Sequence, residues 1–153
     1  MRLNSYEVDP GGHKRLIGWA EHLDRGILPK ELRALVETRV SQINGCAFCL
    51  AMHTDEGRIA GLPQSKLDTV AAWRDDPTFT DRERAALDLA ETMTRIADGG
   101  QVSDDVWDAA AAAFDEAELA SLVQVIAIIN AFNRINVATE RGSNHYLEYA
   151  SQR

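Results

Sequence analysis

A helix-breaking pair, Asn44-Gly45, separates two stretches of helical periodicity, and the only two cysteines of the chain follow it as Cys46-Ala47-Phe48-Cys49. One helix has to end just before Cys46 and another has to begin there. From Cys46 to Gly57 there is no proline, and Gly57 is the first glycine after the break. At about 100° per residue, Cys46, Cys49 and His53 fall within an arc of roughly 60°. The spacing therefore predicts two sulfurs and an imidazole on one face of the second helix.

That position sets the chemistry. The first turn of a helix carries unpaired N–H groups and the positive end of the macrodipole, so a thiolate there is stabilised and its pKa falls. Sulfurs three residues apart on one face can close into a disulfide. His53, one turn after Cys49, is placed to exchange a proton with it. A dithiol with an adjacent acid–base group is the minimum equipment for thiol-based reduction.

The rest of the chain reads as helices. Met1 to Gly12 is an extended lead-in closed by Pro10-Gly11-Gly12, and a helix runs from His13 to about Arg25. Pro29 opens a helix to about Ile43, and Cys46 opens one to about Ala60. Pro63 starts a fourth through Trp73. Thr80-Asp81-Arg82-Glu83 has the capping-box spacing and starts a fifth through Ile96. Ser103 caps Asp104 to about Phe114, and the last long helix covers Leu119 to about Thr139, with a nearly continuous apolar run from Leu122 to Ile129. Residues after Gly142 read as a tail on which Tyr146, Leu147 and Tyr149 are candidates to dock on a neighbour. No segment reads as a strand. The expected architecture is all-α, a single domain over 1–153 built as a bundle of about six or seven helices.

Composition removes several classes of function. The formal net charge is −8, which argues against nucleic acid or an anionic membrane as the main partner. No run approaches the roughly 18 consecutive apolar residues of a membrane span. The first residues lack the apolar core of a signal peptide, so the expected location is cytoplasmic. In that compartment one Cys-x-x-Cys points to redox or metal chemistry rather than to a structural staple.

The stretch Ser41-Gln42-Ile43-Asn44-Gly45-Cys46-Ala47-Phe48-Cys49-Leu50-Ala51-Met52-His53 resembles the alkylhydroperoxidase D-like (AhpD-like) branch of the carboxymuconolactone decarboxylase superfamily. The likeness continues through Asp55 to Gly61, at Trp73, Phe79 and Thr80 to Leu87, and at Asn130-Ala131-Phe132-Asn133-Arg134, and covers roughly Leu28 to Thr139. It implies an all-helical fold assembled as trimers or hexamers, and thiol-dependent reduction of a small hydroperoxide. By position, Cys49 matches the peroxidatic cysteine, Cys46 its resolving partner and His53 the proton-relay histidine. No bound cofactor is implied; the reductant is an external dithiol, a lipoyl group or a thioredoxin-like protein. The family's relay glutamate lies twelve residues before the first cysteine, where this chain has Ala34. Glu37, one turn closer to the cysteines, is the candidate replacement, with Glu31 the weaker one. Well-studied relatives carry a histidine between the cysteines where this chain has Phe48.

Other readings remain open on the sequence. The cysteines and His53 could hold zinc, although no second ligand pair accompanies them. The dithiol could be a redox sensor or assembly module without turnover, or His53 could serve a cofactor-independent decarboxylase or lactone enzyme. Asn130, Asn133 and Arg134 read as structural. Trp19, Trp73 and Trp107 read as core packing, and His13, His22 and His145 have no neighbours in sequence that make a site.

Overall fold

The computed structural model describes residues 1–151, and the side chain of Tyr149 lies outside the described residues, so its expected docking role does too. The architecture is all-α, as the periodicity requires. Among the described residues nine α-helices follow in order: α1 (Ser5–Val8), α2 (Pro10–Asp24), α3 (Lys30–Asn44), α4 (Ala47–Ala60), α5 (Gln64–Thr69), α6 (Asp81–Thr94), α7 (Asp104–Ala113), α8 (Glu116–Ala138) and α9 (Ser143–Ala150). Short 3-10 turns at Val70–Ala72 and Ile96–Asp98 extend α5 and follow α6.

The helices α3 and α8 form the axis of the bundle. The α3 helix packs on α4, α6 and α8, and α8 reaches α2, α4, α6 and α7 as well. By length and hydropathy alone α8 could cross a membrane. Here Leu122, Val125, Ile126, Ile128 and Ile129 are buried among the other helices, so its apolar run is spent on the core. A second cluster, Leu35, Leu67, Val70, Trp73, Phe79 and Leu87, seals the opposite side of α3 against α5 and α6.

Local signals placed most boundaries. Thr80 and Asp115 both form full capping boxes, with Glu83 and Glu118. Four expectations change. The lead-in is helical: Asp9 caps α2 through the Gly12 N–H, and Pro10 occupies the first position, where its fixed φ suits a helix. Cys46 stands one residue before α4 as its N-cap. The segment after Gly142 is a helix, held because Tyr146 is buried, sets its ring edge on Phe48 and donates from its hydroxyl to Asp55 Oδ2 at 2.8 Å. That anchoring supplies the stability that eight residues of helix lack alone. Finally, only Trp73 is a core tryptophan; it is buried and donates from Nε1 to Glu91 at 2.9 Å. Trp19 and Trp107 are 36% and 45% exposed, because periodicity fixes a shared face without deciding which faces meet the core.

Two glycines test this geometry in opposite directions. Gly45 ends α3 in the left-handed region at φ 68°, so Gly45→Ala should lower stability by about 1 kcal/mol. Gly18 lies exposed inside α2, and an alanine methyl at that position would meet open space, so Gly18→Ala should raise it by about 0.5–1 kcal/mol. Urea unfolding of the two variants reads both; the same sign for both would contradict these backbone assignments.

Candidate active site

The site is built at the α3–α4 junction. Gly45 turns the chain, and the Cys46 N–H closes on the Ser41 carbonyl at 3.0 Å. This leaves Cys46 extended, with its sulfur over the open end of α4, where it accepts the Cys49 N–H at 3.3 Å. Cys49 lies in the first turn and its sulfur accepts from Asn136 Nδ2 at 3.2 Å. Both cysteines are buried free thiols.

The two sulfurs share one proton. The Cys49 thiol donates to Cys46; with the Cys49 N–H and the asparagine donors, this outweighs burial and brings Cys46 down to about 7. The same hydrogen bond, together with burial and the charge on Cys46, pushes Cys49 up. In the reduced protein at neutral pH the negative charge therefore rests first on Cys46, the sulfur at the helix N-terminus.

The acid–base partner is set by α3. Glu37 and His53 are both buried, and His53 Nδ1 lies 3.2 Å from Glu37 Oε2 and 2.7 Å from Glu56 Oε2. Arg33 Nε donates to the other Glu37 oxygen at 3.0 Å, and its Nη1 reaches Asp24 Oδ1 at 3.0 Å. Burial alone would lower the His53 pKa, but the charge and hydrogen bond of Glu37, then Glu56, overcome it and raise it to about 10. Burial likewise raises Glu37, and His53 and Arg33 bring it below its ordinary value. His53 is thus an imidazolium at neutral pH. Its Nδ1 is held by carboxylates, and its buried Nε2 has no hydrogen-bond partner among the described residues. Ala34 packs in the second apolar cluster and Glu31 is exposed. Of the acids near the missing relay position, Glu37 alone meets the histidine.

Glu37, His53 and Glu56 bring ligand atoms within 4.8 Å of one another, close enough for a metal ion. With Arg33 the group already balances two negative charges against two positive ones, and each carboxylate has a cationic partner.

A cavity of about 250 Å³ opens onto these groups. Cys49 and His53 lie on its wall and Cys46 does not. Among the polar lining residues, Tyr6, Arg33, Glu56, Asn136 and Arg141 were not singled out from the sequence, and His13, expected to make no site, lies on the same wall. The Tyr6 hydroxyl donates to Asn136 Oδ1 at 2.5 Å, which orients the amide so that its nitrogen faces Cys49. His13 stacks edge-on against Tyr6, with ring centroids 3.8 Å apart. Asn136 did leave a signal: Asn130, Asn133 and Asn136 recur every third residue in an otherwise apolar helix. The first two tie helices together, and Asn133 also donates toward the cysteine pair. Asn44 Nδ2 donates to both at 2.9 Å, and Asn133 Nδ2 donates to Ser41 Oγ at 3.2 Å, tying the end of α3 to α8.

Comparison with known proteins places this arrangement in a family. The carboxymuconolactone decarboxylase family model matches residues 14–92, and the chain belongs to that family, in its AhpD-like branch. The uncharacterised protein YdfG of Bacillus subtilis (strain 168) is 34% identical over 138 residues, covering 90% of this chain and 93% of that protein. A protein of unknown function from Agrobacterium tumefaciens, described as a candidate antioxidant defence protein AhpD, superposes with a TM-score of 0.86 at 32% identity, covering 92% of this chain and 95% of that one. The debrominase Bmp8, solved in complex with 2,3,4-tribromopyrrole, shares the fold at a TM-score of 0.77 and 17% identity, covering 94% of this chain and 78% of that one.

Two measurements test the electrostatics. Thiolate absorbance should titrate with a first midpoint near 7 in the wild type. In Cys49→Ala that midpoint should move up, because the S–H donor is gone; an unmoved midpoint would mean that the shared proton is not what lowers it. His53 binds its proton more tightly folded than unfolded. Its contribution to stability is therefore complete below about 6.5 and is lost as pH rises toward about 10. On the acid side, Glu37 contributes above its ordinary value of 4.5 and loses that contribution as pH falls through its lower folded value. Glu37→Gln should cost about 3–5 kcal/mol near neutral pH and flatten the alkaline loss, as followed by chemical denaturation at several pH values.

Proposed function

We propose that the protein is a thiol peroxidase that reduces small organic hydroperoxides through a Cys46–Cys49 dithiol–disulfide cycle. The observation that carries this reading is the placement of the dithiol. The Cys46 sulfur caps α4 on the Cys49 N–H, and Cys49, held by Asn136, opens on a cavity beside His53.

In the first step the Cys49 proton passes to Cys46 along their hydrogen bond, leaving the thiolate on the sulfur that faces the cavity, where Asn136 Nδ2 supports the charge. Cys49 then attacks the terminal oxygen of the hydroperoxide. The O–O bond breaks, sulfur is oxidised to a sulfenic acid, and the departing alkoxide takes a proton from His53. Glu37 holds the imidazole in its charged form and sets which nitrogen is free. In the second step the Cys46 thiol condenses with the sulfenic acid, forming the disulfide and releasing water. An external dithiol, a lipoyl group or a thioredoxin-like protein, returns the pair to thiols. In this scheme Cys46 takes the proton from Cys49, and His53 serves as the acid for the departing oxygen.

A redox sensor without turnover is the second reading, favoured by Ala34 standing where the family's relay glutamate would be. The deciding experiment counts free thiols before and after one equivalent of tert-butyl hydroperoxide, then follows peroxide consumption with excess dithiothreitol. Loss of both thiols, a sulfenic acid trapped in Cys46→Ser but not in Cys49→Ser, and sustained consumption are expected. Glu37→Gln should slow consumption about a hundredfold. One stoichiometric oxidation without turnover would favour the sensor. Thiols that persist would remove both readings, and activity surviving Cys49→Ser would point to His53-based chemistry instead.

A further inference from the structure

The cavity holds one charge that the peroxide chemistry does not use. Arg141, between α8 and α9, lies with its guanidinium carbon 4.2 Å from the centre of the Tyr6 ring and 4.4 Å from that of Phe48. Among the described residues no carboxylate reaches it, and its Nε is buried without a hydrogen-bond partner. Of the other half-buried arginines, Arg33 pairs with Glu37 and Asp24, Arg39 with Glu91 and Arg82 with Glu118, while Arg84 donates to the backbone carbonyls of Phe79, Arg74 and Asp76. The other charges on the cavity wall are also satisfied, since His53 and Arg33 answer Glu37 and Glu56.

The Tyr6 hydroxyl takes up part of the guanidinium and its buried Nε has no partner; the N–H groups that remain match a carboxylate in charge and geometry. The remaining wall beside it is apolar, with Ile17, Ile128, Ile129 and Phe132. At about 30 Å³ per water the space equals roughly eight waters, which suits a single ring or a short chain rather than a long acyl tail.

We propose that Arg141 determines the specificity of the cavity, and that the substrate is a compact hydroperoxide with an apolar body and a carboxylate that Arg141 binds. The proposal rests on the peroxidase reading for the reacting group; carboxylate recognition is separable from it. Arg141 is here a binding residue, and Phe48 and Tyr6 hold it in place. The presence of Phe48 between the cysteines, where well-studied relatives have histidine, then has a role as the platform for this cation.

The test compares cumene hydroperoxide with its para-carboxylate, with dithiothreitol as reductant. The wild type should favour the carboxylate by about tenfold in kcat/KM, chiefly through KM. The ratio should fall to near one in Arg141→Met and stay above one in Arg141→Lys. A wild-type ratio near one, or an Arg141→Met protein that keeps the preference, overturns the proposal. An equal loss on both peroxides in Arg141→Met, with the preference retained, would make Arg141 a general support of the thiolate and also overturn it. A second arm needs neither turnover nor a variant: calorimetric titration of the reduced wild type with 4-isopropylbenzoate and with 4-isopropylbenzamide. The carboxylate should bind about tenfold more tightly, and equal or absent binding overturns the proposal. If neither peroxide is consumed but the carboxylate binds, the peroxidase reading fails and the anion site stands.

Discussion

The contact between Glu37 and His53 is the fixed point of this molecule. It joins α3 to α4 across the turn at Gly45, in a place with almost no water. Removing either one leaves the other buried with a single remaining partner, Arg33 for Glu37 and Glu56 for His53. The pair therefore does two things at once. It holds the helix that carries both cysteines against the axis of the bundle, and it keeps an imidazole protonated far above the pH at which free histidine loses its proton. The charge state of the site and the seating of α4 on α3 thus share one interaction, set within the apolar packing of both helices.

Around that point the charges are arranged in order. Cys46 takes the helix N-terminus and the first negative charge; Cys49 takes the proton and the opening to the cavity. Both sulfurs are buried free thiols, and Cys49 alone of the two reaches the cavity wall. Asn136, oriented by Tyr6, meets the charge when it moves to Cys49.

What could be read beforehand follows the range of the interactions. The helices, the break at Asn44-Gly45 and the grouping of Cys46, Cys49 and His53 depend on neighbours three or four residues apart, and sequence spacing carries that information. Glu37 was within reach because it lies on the helix just before the break. Tyr6, His13 and Arg141 were not, because they lie 43, 36 and 92 residues from Cys49 in contacts that no local pattern encodes, and Asn136 showed only as one of three evenly spaced asparagines. The same limit explains α9: eight residues carry little periodicity, and the helix exists because Tyr146 finds Phe48 and Asp55. Trp19 and Trp107 show the converse, since a clear helical stripe does not reveal what it faces. The order of proton transfers was also hidden, because it depends on a charge balance that includes Glu56 and Arg33.

The hydrogen bond from Tyr6 to Asn136 spans 130 residues, whereas Cys46 and Cys49 are three apart. The thiol pair can thus form as soon as α3 and α4 have met, while its chamber closes only after the earliest helices find the end of α8. During synthesis and refolding there is an interval in which a reactive dithiol exists without walls. In that interval any passing disulfide or oxidant has access to it. A cell making this protein under oxidative load would meet that exposure before the chamber had closed.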